Sequence, residues 1–152
     1  MKVTRHSEYL KLASVYLKSA ENSFLSEEEL LENWETLQYL SKPNFKKSLV
    51  EYTAFQTFFR RKNISTCFFP INKKTKIDSI YCRDASIATD FGIIICNMGK
   101  QGRIHEPYAQ LEAYKKNNVN ILGEIMFPGT LEGGDVAWLD QNTLAVGHTY
   151  RT

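Results

Sequence analysis

Thr89-Asp90-Phe91-Gly92-Ile93-Ile94-Ile95-Cys96-Asn97 is the stretch on which the fold turns. Ile77 to Thr89 and Ile93 to Asn97 read as two strands, and Asp90-Phe91-Gly92 between them is a turn. Met98 to Arg103 follows as a Gly-containing loop. Glu106-Pro107 then starts a helix, because Pro is well tolerated at the first helical position. Tyr108, Leu111 and Tyr114 supply its buried face, and Asn117-Asn118 ends it. Asn120 to Phe127 is a further strand, with a turn at Pro128-Gly129-Thr130. The unit is therefore strand, strand, helix, strand. A new hairpin begins after it, Val136 to Leu139 and Thr143 to Val146, around Asp140-Gln141-Asn142.

Working back toward the N-terminus, Ile64 to Phe69 is a β-rich run ended by Pro70, and Ile71 to Lys76 is a lysine-rich loop. Phe45 to Arg61 has helical spacing, with Phe45, Leu49, Tyr52, Phe55 or Gln56, and Phe59 on one face. Arg60, Arg61 and Lys62 close that helix and suit its dipole. Ser26-Glu27-Glu28-Glu29 is a capping-box pattern. Leu30, Trp34, Leu37 and Leu40 follow it until Ser41-Lys42-Pro43-Asn44 breaks the pattern. Tyr9 to Lys18 predicts a strand. The whole is a mixed α-β chain with short strands and no linker between two domains.

Composition narrows the function classes. The 152 residues are 43% apolar and 24% charged, with a net charge of +2. This is one ordinary domain or part of a larger one, close to the globular average. No apolar run is long enough for a membrane span, and Met1 to His6 carries no leader pattern. The charge is too small to announce nucleic-acid binding, and Arg60-Arg61-Lys62 and Lys73-Lys74-Thr75-Lys76 read as solvated helix ends and a turn. Three cysteines, Cys67, Cys82 and Cys96, make no disulfide framework, so a reducing, cytoplasmic setting is expected. They read as small buried hydrophobes. The chain stops at Tyr150-Arg151-Thr152, directly after a strand, which reads as a cut through a fold. Exposed sheet edges then make homo-oligomers an expectation.

Four clusters bear chemistry. Asp78 and Asp84 flank a strand-like segment six residues apart, an even spacing that puts both side chains on one face of a strand. Met98-Gly99-Lys100-Gln101-Gly102-Arg103 carries two cations. Gly129-Thr130-Leu131-Glu132-Gly133-Gly134-Asp135 brackets a Gly pair with carboxylates. Gly147-His148-Thr149-Tyr150-Arg151-Thr152 sits at a strand end. Several carboxylates with two or three cations suit a zwitterion whose side chain is itself cationic. Each cluster alone fits a turn or a surface ion pair equally well.

The ordered set formed by Asp78 to Asp90, Met98-Gly99-Lys100 with Arg103 and Glu106-Pro107, Pro128 to Val136, and Leu144 to Gly147 with Tyr150-Arg151-Thr152 adds more. It resembles the amidinotransferase / dimethylarginine dimethylaminohydrolase / arginine deiminase superfamily, the guanidino-modifying enzymes of the pentein fold. The likeness covers Asp78 to Thr152, and the first strand and two helices more loosely. It implies a partial propeller of ββαβ units, residues 1–152 forming the N-terminal half of one pentein domain. It implies a Cys thiolate that attacks the guanidinium carbon to give a thiouronium-type intermediate, a His acting as acid and base, and no metal or organic cofactor. The substrate class it implies is arginine or a methylated arginine, giving a citrulline-type product or amidino transfer. Asp84 and Glu132 match the carboxylates that bind the guanidinium and bias it for attack, Glu132 also lying close to the His. Asp78 matches a position near the substrate's amino end, and Arg103 and Arg151 match the grip on the α-carboxylate. The family's His and nucleophilic Cys belong to a second half, expected to be absent from these 152 residues. His148 does not match the family's His, and His105 reads as a helix-capping or surface residue. A non-catalytic module that binds arginine-like ligands, or pairs with a partner supplying the rest, is the alternative.

Overall fold

The computed structural model describes Thr4 and residues 7–152. The reading of Met1 to His6 falls, Thr4 apart, outside the described residues. The chain folds as two compact units, one spanning Leu12–Tyr81 and the other joining residues 1–11 to Cys82–Thr152.

In the first unit, β1 (Ser14–Leu17) pairs in parallel with β2 (Ser65–Phe68), Ser14 opposite Ser65 and Leu17 opposite Phe68. Parallel strands need a long crossover, and here it is three helices: α1 (Ala20–Phe24), α2 (Glu27–Asn33) and α3 (Phe45–Arg61). Each starts where a short polar side chain accepts an otherwise unpaired N–H. Ser19 takes the Asn22 amide at 3.1 Å, Ser26 that of Glu29 at 3.2 Å, and Asn44 that of Lys47 at 2.9 Å. Ala20, Phe24, Leu30, Leu37 and Ile77 form the core, with Trp34, Phe45, Leu49 and Tyr52 packed on it.

In the second unit, β3 (Ser86–Thr89) and β4 (Gly92–Ile95) pair antiparallel, and β5 (Ile121–Glu124) joins β4 in parallel after α4 (Glu106–Lys116). The sheet order is β3-β4-β5, the strand–strand–helix–strand unit expected from the sequence. Gly92 has φ 135°, and a Cβ there would lie 2.7 Å from the Asn120 side chain. Only glycine fits that turn. β6 (Val136–Trp138) and β7 (Leu144–Val146) form the expected hairpin. Ile87, Cys96 and Val136 are the buried centre, flanked by Ile94, Leu131 and Leu144.

Several expectations are corrected. Ile77 to Thr89 is not one strand. Ile77–Ile80 and Cys82–Ala85 are 3₁₀ turns, and only Ser86–Thr89 is extended. The Ile77 carbonyl is held by the Ser23 hydroxyl at 2.7 Å rather than by a ladder. Asp78 and Asp84 therefore do not share one face of a strand, and the two belong to different units. α2 stops at Asn33, whose side chain bonds back to the Glu29 carbonyl and carboxylate at 2.8 and 3.1 Å. Gln38 then turns the chain with φ 66°, and Leu40 is left fully exposed. The first strand covers only Ser14–Leu17 of the expected Tyr9 to Lys18. On α3, Gln56 is half-buried and Phe55 is exposed, with Phe59 the buried residue. On α4, Tyr108 is exposed while Gln110 is buried with Leu111 and Tyr114. His105 sits at the cap position without a side-chain capping bond. Cys67 is exposed and Cys82 half-buried, so only Cys96 behaves as a buried hydrophobe. Among the described residues no helix is long and apolar enough to cross a membrane.

Candidate guanidinium-and-carboxylate site

The second unit brings four of the five candidate residues, Asp84, Arg103, Glu132 and Arg151, onto four neighbouring loops and turns. Asp84 lies in the 3₁₀ turn Cys82–Ala85, immediately before β3. The buried face of α4 ties that turn down. Gln110 donates to the Cys82 carbonyl at 2.7 Å and accepts from the Ser86 hydroxyl at 2.7 Å. Arg83 clamps the turn to the Gly-pair loop, donating to the Gly133 carbonyl, to the Val136 carbonyl at 2.8 Å and to Glu8 at 2.7 Å. A Cβ on Gly134 would lie 2.6 Å from Asp84 Oδ1. The Gly pair therefore lets backbone and carboxylate approach as no other residue would.

Arg103 ends a short 3₁₀ turn and is buried, 4% exposed, with Glu106 at 2%. Its Nε and Nη2 donate to the two oxygens of Glu106 at 2.9 and 2.7 Å, a paired, charge-assisted contact. Its Nη1 donates to Asp84 Oδ2 at 2.6 Å. Burial works against the Arg103 charge, but Glu106 and then Asp84 outweigh it and hold the guanidinium protonated above its ordinary range.

Glu132 is equally buried, 3% exposed. Its Oε1 accepts the Lys100 amide at 3.0 Å, and its Oε2 lies 3.4 Å from Arg151 Nε. Its own amide donates to Thr152 Oγ1, whose hydroxyl in turn bonds Asp135. Gly99 is closed in by the Arg151 backbone, so the two loops pack without a side chain between them. Cys96 lies within the field of both carboxylates. Burial pushes its thiol up to about 12, and the Asp84 and Glu132 charges add to the rise.

Among Asp84, Glu106, Glu132, Arg103 and Arg151, carboxylates outnumber guanidiniums by one. Such a set has the charge to take one further cation, and Arg151, only partly buried, with one long ion pair and the exposed Tyr150 ring beside it, can change partner. Asp78 lies in the other unit, 3% exposed, in the turn Ile77–Ile80. There the Tyr39 hydroxyl is held protonated by burial and then by the Asp78 charge. Sequence reasoning took Glu106 only as a helix start and did not single out Arg83 for a role. The Arg103-x-x-Glu106 spacing, which places two opposite charges within reach of each other, was the available signal. An open hollow of about 570 Å³ is lined by Tyr9 and Asp140, Gln141, Asn142 and Thr143, none of them a candidate. Among the described residues no group of His, Cys, Asp and Glu could hold a metal ion.

No protein-family model matches the chain, and no curated protein matches it by sequence. Solved structures do. A dimethylarginine dimethylaminohydrolase from Pseudomonas aeruginosa, complexed with citrulline, is 19% identical with a TM-score of 0.73, over 94% of this chain and 52% of that one. Another dimethylarginine dimethylaminohydrolase structure, an adduct with S-methyl-L-thiocitrulline, is 20% identical with a TM-score of 0.67, over 91% and 50%. An amidinotransferase of saxitoxin biosynthesis from Microseira wollei is 13% identical with a TM-score of 0.54, over 88% and 54%. The chain thus spans about half the length of these proteins, and over that half it has their pentein-type fold.

Proposed function

We propose that this chain is the substrate-binding half of an enzyme that modifies the guanidino group of arginine or a methylated arginine. The observation that carries the reading is the paired arrangement around the Gly pair, where Asp84 and Glu132 are both fixed and both engaged by arginines, and where with Glu106 three carboxylates share the two guanidiniums of Arg103 and Arg151. A ligand guanidinium stays protonated at any ordinary pH and presents planar N–H pairs to carboxylates. Binding would exchange partners. The ligand's guanidinium takes Asp84 and Glu132, and its α-carboxylate takes Arg151. Arg103, bonded through Nε, Nη1 and Nη2, we assign to holding Asp84, a narrower role than gripping the α-carboxylate.

The likeness to enzymes named for dimethylarginine hydrolysis and amidino transfer supports this class of chemistry. The step itself, attack by a Cys thiolate on the guanidinium carbon with a His relaying the proton, is assigned to residues outside this chain. Cys96, pushed up to about 12, is a thiol at neutral pH and a poor nucleophile. The product would be of the citrulline type, or an amine acceptor would take the amidino group.

The test is calorimetric titration of the chain with L-arginine, agmatine and L-citrulline, in wild type and Asp84→Asn. Arginine binding that falls by about 3 kcal/mol, roughly two decades, on removing the Asp84 charge is the expected result. Equal affinity for arginine in both proteins sinks the assignment.

A further inference from the structure

Asp135 has no part in the guanidinium reading above, yet it holds both ends of the segment that carries Arg151. Its carbonyl accepts the Gly147 amide at 2.7 Å. Its Oδ2 accepts the Thr152 hydroxyl at 2.5 Å, and the Thr149 hydroxyl lies 3.4 Å from the same oxygen. We propose that Asp135 and Thr152 are positioning residues that fix the backbone of Arg151 against Glu132. The Arg151 guanidinium then leaves Glu132 for a ligand carboxylate without its segment moving. The proposal rests on the guanidinium reading for its ligands, but its geometry stands separately.

A hydroxyl has one proton to give and lone pairs to accept with, whereas a carboxylate only accepts. The Thr152 proton therefore goes to Asp135, over the short distance typical of a charge-assisted bond. The same oxygen is left to accept the Glu132 amide, at 3.1 Å. Asp135 thus sets the direction of the hydroxyl, and the hydroxyl fastens Thr152 to the residue whose carboxylate Arg151 faces. Behind it, Thr149 Oγ1 accepts the amides of Arg151 and Thr152 at 3.1 and 3.2 Å, and the Thr149 amide donates to the Thr152 carbonyl at 3.1 Å. Residues 149–152 are therefore a closed turn, pinned at Thr152. The Arg151 backbone also closes on Gly99, but a packing contact limits approach without resisting withdrawal. The Arg151 side chain is held far less, by one 3.4 Å ion pair and the Tyr150 ring 5.7 Å away. An unpinned segment would have to be ordered whenever Arg151 takes up a carboxylate, and that ordering lowers affinity. A ligand without a carboxylate makes no use of Arg151. It still meets Glu132, whose side chain stays buried and bonded to the Lys100 amide.

A role in stability alone predicts equal losses for ligands with and without a carboxylate. The experiment titrates the whole chain with L-arginine and with agmatine, a guanidinium ligand that has no carboxylate. Thr152→Val, which keeps the shape and removes the hydroxyl, and Asp135→Ala should each weaken L-arginine about five-fold or more and leave agmatine within about two-fold. Thr152→Ser, which keeps the hydroxyl, should bind both ligands within about two-fold of wild type. With Arg151→Ala already in place, Thr152→Val should change L-arginine by less than about two-fold, because both changes act through one contact. Equal losses for the two ligands, no loss, no rescue by serine, or an undiminished loss on Arg151→Ala overturns the proposal. Should Asp135→Ala not fold, Thr152→Val alone decides by the same criteria. Nitrogen-15 relaxation of the ligand-free chain is the second readout. The Arg151 backbone amide should be as ordered as that of Glu132 in wild type and Thr152→Ser, and mobile on the nanosecond scale in Thr152→Val. Equal order in all three proteins overturns the proposal. If wild type binds neither ligand while relaxation follows the expected pattern, the guanidinium reading fails and the positioning role stands.

Discussion

At the scale of single residues, two arginines that look alike in the sequence have different environments. Arg103 is buried and bonded on three nitrogens, whereas the Arg151 side chain is 35% exposed, with one 3.4 Å ion pair and the Tyr150 ring 5.7 Å from its guanidinium carbon. An exposed, loosely held cation is the one a ligand carboxylate can recruit at little cost. Arg151→Ala should therefore weaken L-arginine about ten-fold and leave agmatine within about two-fold, a difference that calorimetry resolves. Cys96 gives a pH prediction. Its folded thiol is raised from 9.0 to about 12, chiefly by burial. The unfolded chain loses that proton first, so the contribution is present below about pH 9 and is lost as pH rises toward 12. Denaturant unfolding between pH 8 and 11 should show stability falling less steeply in Cys96→Ala than in wild type. Parallel curves would mean that Cys96 is not held as a buried thiol.

At the scale of elements, the Gly133–Gly134 turn matters more than any strand beside it. It brings the Arg83 carbonyl against Gly133 and the Asp84 carboxylate against Gly134, with no room for a Cβ at either. Gly134→Ala puts a methyl group 2.6 Å from Asp84 Oδ1. It should lower agmatine affinity more than ten-fold, because a loop displaced by even a fraction of an ångström loses the alignment of the two carboxylates. Alanine at Gly129, where the nearest atoms are 3.3 Å or more away, is the control and should bind as wild type. Equal effects at the two positions would show that the tight approach at Gly134 has no bearing on binding.

For the whole molecule, coverage of about half of its structural relatives and the buried thiol of Cys96 lead to one expectation. The isolated chain should bind guanidino ligands without turning them over. A citrulline colour assay on purified chain, with a full-length dimethylarginine dimethylaminohydrolase as control, checks this. Turnover that survives purification and disappears in Cys82 or Cys96 variants would place the nucleophile in this chain after all. Association is the second expectation. Leu139 and Val146 stand exposed on and beside the β6–β7 hairpin, although Trp138 is half-buried with its indole on the Ala88 carbonyl. Met126 and Phe127 project from the loop after β5. Exposed apolar groups near unpaired strand edges favour self-association, so light scattering at high concentration should show species larger than one chain. A stable monomer there would argue against it.

The sequence by itself determined what is local. α3 begins and ends where its spacing and basic terminus indicate, the β3–β4 turn needs Gly92, and α4 starts at Glu106-Pro107. Each of these depends on residues close together in the chain. The short ordered motifs likewise pointed to the fold that solved structures share. What only tertiary structure decided is non-local. Ile77 to Ala85 has strand-like composition but forms two 3₁₀ turns, because Ser23 and Gln110, far away in sequence, take the carbonyls a strand would need. The buried stripe of α4 includes Glu106 and Gln110, which no hydrophobic pattern selects, because their polar atoms find partners in Arg103, Cys82 and Ser86. The contrast between a locked Arg103 and an exchangeable Arg151 is of the same kind. Formal charge is written in the sequence, but the burial and pairing that decide which charge a ligand can reach exist only after the loops have packed.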